Sequence, residues 1–124
     1  MPRQLVLFLH GSDWQSRYQA TTLAATAAAL GDLVELALFF GALRAWVDDR
    51  FDEGRPPEAE GARVASLRTT LDEVRRDLGV RVVACDTAIR LAGFEPAQIA
   101  GALDAVVSLP ALWRLAQQGQ ALVF

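Results

Sequence analysis

The chain has 124 residues, 52% of them hydrophobic, which suits a single domain with a substantial core. Charged residues make up 22%, with a net charge of −3 and no long run of one sign, so neither nucleic acid nor an anionic membrane is an expected partner. No apolar stretch is long enough to span a bilayer and no signal peptide is visible. We therefore expect a cytoplasmic protein whose single thiol stays reduced.

The first half of the chain predicts two strands separated by a helix. The apolar run 3–9 is typical of a strand buried on both faces of a parallel sheet. An alanine-rich helix is expected over 17–30, with Asp13 or a neighbouring serine as its N-cap. The apolar segment 33–40 predicts the second strand, and a short helix is expected within 41–50.

The second half continues the alternation of strands and helices. An acidic segment with two prolines, 52–62, breaks all periodicity and is expected to be a mobile surface loop. The elements expected after it are an amphipathic helix at 63–78, a strand at 80–85, a short helix at 87–91, a strand at 104–107, a helix from 110 and a strand at 120–124.

This alternation predicts the fold class. Five apolar strands with intervening helices indicate one α/β domain over 1–124, a three-layer, doubly wound domain with a five-stranded, mostly parallel sheet of flavodoxin-like topology. Periodicity does not give the strand order. If the order is the common 2-1-3-4-5, the first and third strands are neighbours, and His10 and Cys85 face each other across a crevice at their carboxyl ends.

Cys85 is the only cysteine, and it lies where the third strand gives way to a helix. The free amides at the start of that helix favour a nucleophilic thiolate. Asp86 opposes this with its negative charge, unless its carboxylate turns outward to cap the helix. The alternative is that Cys85 is a buried cysteine that acts as a small hydrophobic residue. Both interpretations remain open from the residues alone.

Known motifs narrow the chemistry further. Arg90 follows Cys85 by five positions, whereas the phosphate-binding loops of cysteine phosphatases place an arginine six positions on. One cysteine provides neither a C-x-x-C redox pair nor a zinc cluster, and no nucleotide-binding fingerprint occurs, so no metal or cofactor is expected. His10, the only histidine, and Asp13 are candidate polar groups at the end of the first strand, although helix capping also explains Asp13.

The whole chain resembles the DsrE/DsrF-like sulfur-relay family of small α/β proteins. The resemblance rests on the order and spacing of several segments. These are the strand 5–9 with its polar loop, the alanine-rich helix 20–30 with the strand 31–40, the strand 80–85 with 91–94, and the ending 105–107, 112–117 and 122–124.

The resemblance implies a function for the thiol. It implies that Cys85 carries a persulfide, as a sulfur carrier or sulfurtransferase, with His10, Asp13, Asp86 and Thr87 as candidate polar neighbours. It also implies a homo-oligomer, a trimer or hexamer, that exchanges sulfur with donor and acceptor proteins. The alternative is a non-catalytic oligomeric binding module of the same fold in which Cys85 is structural. A flavin- or nucleotide-binding role is the least favoured of the three functions, because the sequence contains no phosphate-binding loop.

Overall fold

The protein is described by a computed structural model that covers residues 2–124. All five predicted strands are present, and the helices fall close to their predicted positions. In chain order the elements are β1 Gln4–Leu9, α1 Trp14–Ala29, β2 Leu33–Leu38, α2 Phe40–Val47, α3 Glu58–Gly61, α4 Leu67–Leu78, β3 Arg81–Cys85, α5 Asp86–Ala92, α6 Pro96–Ile99, β4 Ala105–Val107, α7 Leu109–Ala116 and β5 Gly119–Val123.

The strands form one parallel sheet in the order β4-β3-β2-β1-β5. Helices cover both faces, which confirms the predicted three-layer, flavodoxin-like α/β class. The specific order 2-1-3-4-5 is wrong, because β2 lies between β1 and β3. The expectation that His10 and Cys85 face each other is therefore also wrong. A central position suits β2, since its residues 34–38 are buried on both faces of the sheet.

The strand order explains how the helices divide between the two faces. From β1 to β4 the chain steps across the sheet in one direction, and right-handed crossovers then place α1 to α6 on the same face. Only α7 returns over the opposite face, to β5 at the far edge. The core beneath α7 is accordingly small. Its buried members are Val6, Ala37, Val83, Leu112 and Ala116.

Hydrogen bonds hold the segment 52–62, which was expected to be a surface loop without regular structure. It contains the short helix α3. At its start, the buried guanidinium of Arg17 donates to the carbonyl oxygens of Phe51, at 2.9 Å, and of Glu53. The carboxylate of Asp52 accepts from the Ser66 hydroxyl at 2.6 Å, directly before α4. The loop is thus tied to both α1 and α4.

None of the helices in residues 2–124 has the length and apolarity needed to cross a membrane.

Candidate functional site

The sheet has a topological switch point between β3 and β4. β3 leads into α5 on one face, whereas β4 leads into α7 on the other face. The two strands are paired at their carboxyl ends, where Cys85 lies opposite Val107. Connections that leave neighbouring parallel strands on opposite faces open a crevice there, which is where open α/β sheets bind ligands. The strand order therefore predicts a site beside Cys85.

A cavity of about 470 Å³ occupies this crevice, and it is larger than four further cavities, which measure about 210 to 290 Å³. Its volume is typical of a small-molecule site. Most of its lining is apolar. The lining residues are Phe39, Phe40, Cys85, Asp86, Thr87, Ala88, Leu91, Ser108, Leu109 and Pro110. We refer to it as the Cys85 cavity.

Cys85 ends β3 and is at the same time the N-cap of α5. Its Sγ accepts a hydrogen bond from the backbone N–H of Ala88 at 3.3 Å. Only 7% of the residue is exposed. The thiol is thus both buried and part of the cavity lining, so the two sequence-based interpretations describe the same side chain.

The sequence left open whether Asp86 caps α5, and it does not. The cysteine takes the capping position, and Asp86 becomes the first residue of the helix. Its exposed carboxylate does turn outward, and its Oδ2 lies 3.2 Å from Nη2 of Arg90. Arg90 also donates to the hydroxyl of Thr87 at 3.3 Å. The negative charge of Asp86 is therefore paired with a guanidinium on the exposed side of α5.

His10 and Asp13 do not line the Cys85 cavity. His10 is exposed at the end of β1, and its backbone N–H donates to the carbonyl of Phe124 at 2.8 Å. Asp13 caps α1, as predicted. Hydrogen bonds from the Ser16 hydroxyl and backbone N–H hold the pKa of Asp13 below its ordinary value. Of the predicted site residues, the fold brings together Cys85, Asp86 and Thr87 only.

Two walls of the cavity escaped the sequence reasoning. The first is the start of α7, where Ser108 is the N-cap and accepts from Ala111 N–H at 3.2 Å. The second is Phe39 and Phe40, which directly follow β2. Their ring centroids are 6.3 Å apart. The wall formed by α7 could be predicted only by knowing that β4 lies next to β3, and this neighbourhood is known only from the strand order.

Asp104 fixes the edge strand that carries one side of the crevice. It lies just before β4, and its carboxylate accepts from Arg75 of α4 at 2.9 and 3.0 Å and from the backbone N–H of Val82 in β3 at 2.7 Å. Burial raises the pKa of Asp104, but these hydrogen bonds together outweigh it and hold the pKa below its ordinary value. One carboxylate therefore connects three elements.

Within residues 2–124, no group of three or more histidine, cysteine or acidic side chains is arranged to hold a metal ion.

Comparisons with known proteins identify the fold alone. No protein-family model matches the chain, and no curated protein matches it. Among solved structures, it is similar to "Structure of Protein of Unknown Function MTH1491 from Methanobacterium thermoautotrophicum", with a TM-score of 0.61 and 17% sequence identity. The similarity covers 98% of this chain and 99% of the other. At this identity the two proteins share a fold, and nothing about activity follows.

Proposed function

We propose that this protein is a sulfur carrier of the sulfurtransferase type that relays persulfide sulfur on Cys85. The observation that carries the proposal is the position of Cys85, which lines a cavity of about 470 Å³ at the switch point of a parallel sheet. The resemblance to sulfur-relay proteins supports the same residue independently of the cavity.

The chemistry needs one nucleophilic sulfur. The Cys85 thiolate attacks the outer sulfur of a donor persulfide R–S–SH. A new S–S bond forms between Cys85 Sγ and that sulfur, and the S–S bond of the donor breaks to release R–S⁻. An acceptor thiolate then removes the outer sulfur in the same way. Sulfur is transferred without net oxidation, so no redox cofactor is required.

The surroundings of Cys85 suit this role. The Ala88 N–H and the positive end of the α5 dipole favour negative charge on the sulfur. Arg90 offsets the charge of Asp86, which would otherwise oppose a thiolate. We place the protein in the cytoplasm, where a single thiol stays reduced, and we take its donors and acceptors to be thiol-bearing partners.

We also propose that the chain self-associates through the outer face of α7. Leu109 and Trp113 are four residues apart on this helix and are 53% and 61% exposed. Large apolar side chains grouped in this way mark interaction surfaces. Light scattering should report a trimer or hexamer, and Trp113→Glu should yield a monomer. A monomeric wild-type protein at micromolar concentration would contradict this part of the proposal.

The decisive test of sulfur carriage is intact-mass measurement. Purified protein is incubated in one reaction with a cysteine desulfurase and cysteine and in another with a small-molecule persulfide, and in at least one of them the product is expected to gain the mass of one sulfur atom. The adduct should disappear after treatment with a reducing thiol and should be absent from Cys85→Ser, the matched control. No adduct on well-folded wild-type protein would refute sulfur carriage.

Burial favours a second candidate, a non-catalytic oligomeric binding module. Cys85 is 7% exposed and already serves as a helix cap, so a structural role accounts for its position. In this case Cys85→Ser should assemble like the wild type, because serine is a better N-cap than cysteine. Persulfide recovered on Cys85 would exclude the second candidate.

A further inference from the structure

We infer that the Cys85 cavity takes a small, uncharged thiol or persulfide that carries an aromatic or branched apolar group. This inference rests on the proposed function and assigns a chemical class to its sulfur donor, the persulfide, and to its sulfur acceptor, the thiol. The volume of about 470 Å³ lies in the range of small-molecule sites. Because only 7% of Cys85 is exposed and the residue lines this cavity, a reagent reaches its sulfur through the cavity.

The charges around the cavity disfavour an anionic donor. Asp86 is the one charged side chain in the lining, and within residues 2–124 no arginine contributes to it. Arg90, the cation closest along the chain, is already paired with Asp86 at 3.2 Å. A carboxylate or thiosulfate group would therefore lose water and gain no cationic partner.

The scarcity of polar groups also disfavours an inserted polypeptide. An entering chain brings backbone N–H and C=O groups that need hydrogen-bond partners once they are buried. The lining offers the hydroxyls of Thr87 and Ser108, but Ser108 already accepts from the Ala111 N–H and Thr87 from Arg90. An apolar group attached to a single sulfur brings no such requirement.

Phe40 gives the mouth of the cavity its aromatic character. Its backbone has φ 51°, a left-handed conformation that is unusual for a bulky residue. Phe40 is 59% exposed, so little burial of this residue offsets the unfavourable conformation. Leu91, which is 70% exposed on α5, provides a further apolar contact at the cavity. We assign Phe40 as the specificity-determining residue for the apolar group of the donor.

The class of the ligand can be measured by alkylation of Cys85 in the full chain. The probes are iodoacetamide, iodoacetate and N-benzyliodoacetamide, and each rate is divided by the rate for N-acetylcysteine under the same conditions. We expect the benzyl reagent to be favoured about tenfold over iodoacetamide, which corresponds to burial of part of one phenyl ring. Iodoacetate should be the slowest. Equal normalised rates for the three probes would overturn the inference.

Two variants test the assigned walls. Phe40→Gly keeps the left-handed backbone without strain, so it should fold and lose most of the benzyl preference, measured as the ratio of the benzyl rate to the iodoacetamide rate. Leu91→Ala should reduce the preference in part. Leu78→Ala, a control at an exposed leucine outside the cavity, should leave the preference intact. An unchanged preference in both cavity variants would contradict the assignment.

The inference and the proposed function can fail separately. Sulfur loading by a desulfurase without any benzyl preference would refute the ligand class and leave sulfur carriage standing. A benzyl preference without sulfur loading from any persulfide donor would refute sulfur carriage and show a site for apolar thiol reagents.

Discussion

Asp104→Ala removes the carboxylate that joins β4, β3 and α4. The variant loses two hydrogen bonds from Arg75, at 2.9 and 3.0 Å, and one from the Val82 N–H, at 2.7 Å. The side chains of Asp104 and Arg75 are 31% and 17% exposed, so solvent screens the pair only in part. Arg75 keeps a second carboxylate, Asp72, at 3.3 Å.

The size of the effect follows from these contacts. The bond from Val82 to a charged acceptor contributes about 1.5 kcal/mol, and the ion pair, discounted for exposure, contributes about 1 kcal/mol. Asp104→Ala should therefore lower the free energy of unfolding by about 2 to 3 kcal/mol. Asp104→Asn keeps an acceptor for the Val82 N–H and should lose about half as much.

Urea denaturation followed by tryptophan fluorescence measures this loss, and Asp77→Ala is the matched control. Asp77 also makes two hydrogen bonds with an arginine, Arg76, at 3.0 and 3.2 Å, but on an exposed surface, so its removal should not reduce stability. Equal losses for Asp77→Ala and Asp104→Ala would refute the reasoning from burial.

The pH dependence gives an independent check on Asp104. Because the folded protein lowers the pKa of this carboxylate, its stabilising contribution is present above the ordinary aspartate value of about 4 and is lost as the pH falls through the folded value. The difference between wild type and Asp104→Asn should thus be largest near neutral pH and shrink in acid. A constant difference down to strongly acidic pH would show that the charge is not responsible.

Substitutions at three further positions test other contacts, and one of these positions is expected to give a more stable protein while the other two give a less stable one. Burial raises the pKa of Glu35, and its partner Arg81, 3.4 Å away, is half exposed, so Glu35→Leu should stabilise the protein by about 1 kcal/mol at pH 7. The gain in stability should fade as the pH falls from the raised pKa of Glu35 towards the ordinary pKa of glutamate, because the wild-type carboxyl then becomes neutral. A gain in thermal melts that does not depend on pH would show that the buried charge of Glu35 is not its cause. Arg17→Ala leaves three carbonyl groups without their donor and should cost about 3 kcal/mol in urea denaturation, together with faster proteolysis near 52–62. Ser66→Ala removes the N-cap of α4 and the hydrogen bond that the Ser66 hydroxyl donates to Asp52, and should lower stability by about 1 to 2 kcal/mol, whereas Ser66→Thr keeps a hydroxyl for both contacts and should retain most of it.

The strands could be predicted from the sequence because a parallel strand covered on both faces is a nearly continuous apolar run. Their order could not, because side-chain periodicity does not record which strand lies beside which. One usable signal was present. The segment 33–38 is as apolar as β1, which suits a central strand, whereas β4 has three residues and β5 begins with Gly119 and Gln120, which suits edges.

The candidate site was predictable on one side only. The junction of β3 and α5 identified Cys85, because a strand end followed by a helix start is visible in the apolar pattern. The opposite wall depends on β4 lying next to β3. The third wall depends on the left-handed backbone of Phe40, which no residue preference predicts, since aromatic side chains disfavour that conformation.

The corrected strand order also changes which reactions suit the thiol. His10 is the only histidine, and β2 separates its strand from that of Cys85, which places the two strands about 10 Å apart. Acyl transfer by a cysteine commonly relies on an imidazole within hydrogen-bond reach, to take the thiol proton and later protonate the leaving group. Persulfide exchange has a thiolate as both nucleophile and leaving group, so it needs charge stabilisation at sulfur more than a base. The Ala88 N–H and the start of α5 lie beside Cys85 and provide this stabilisation of negative charge at the sulfur. The distance to His10 therefore favours sulfur exchange over hydrolysis.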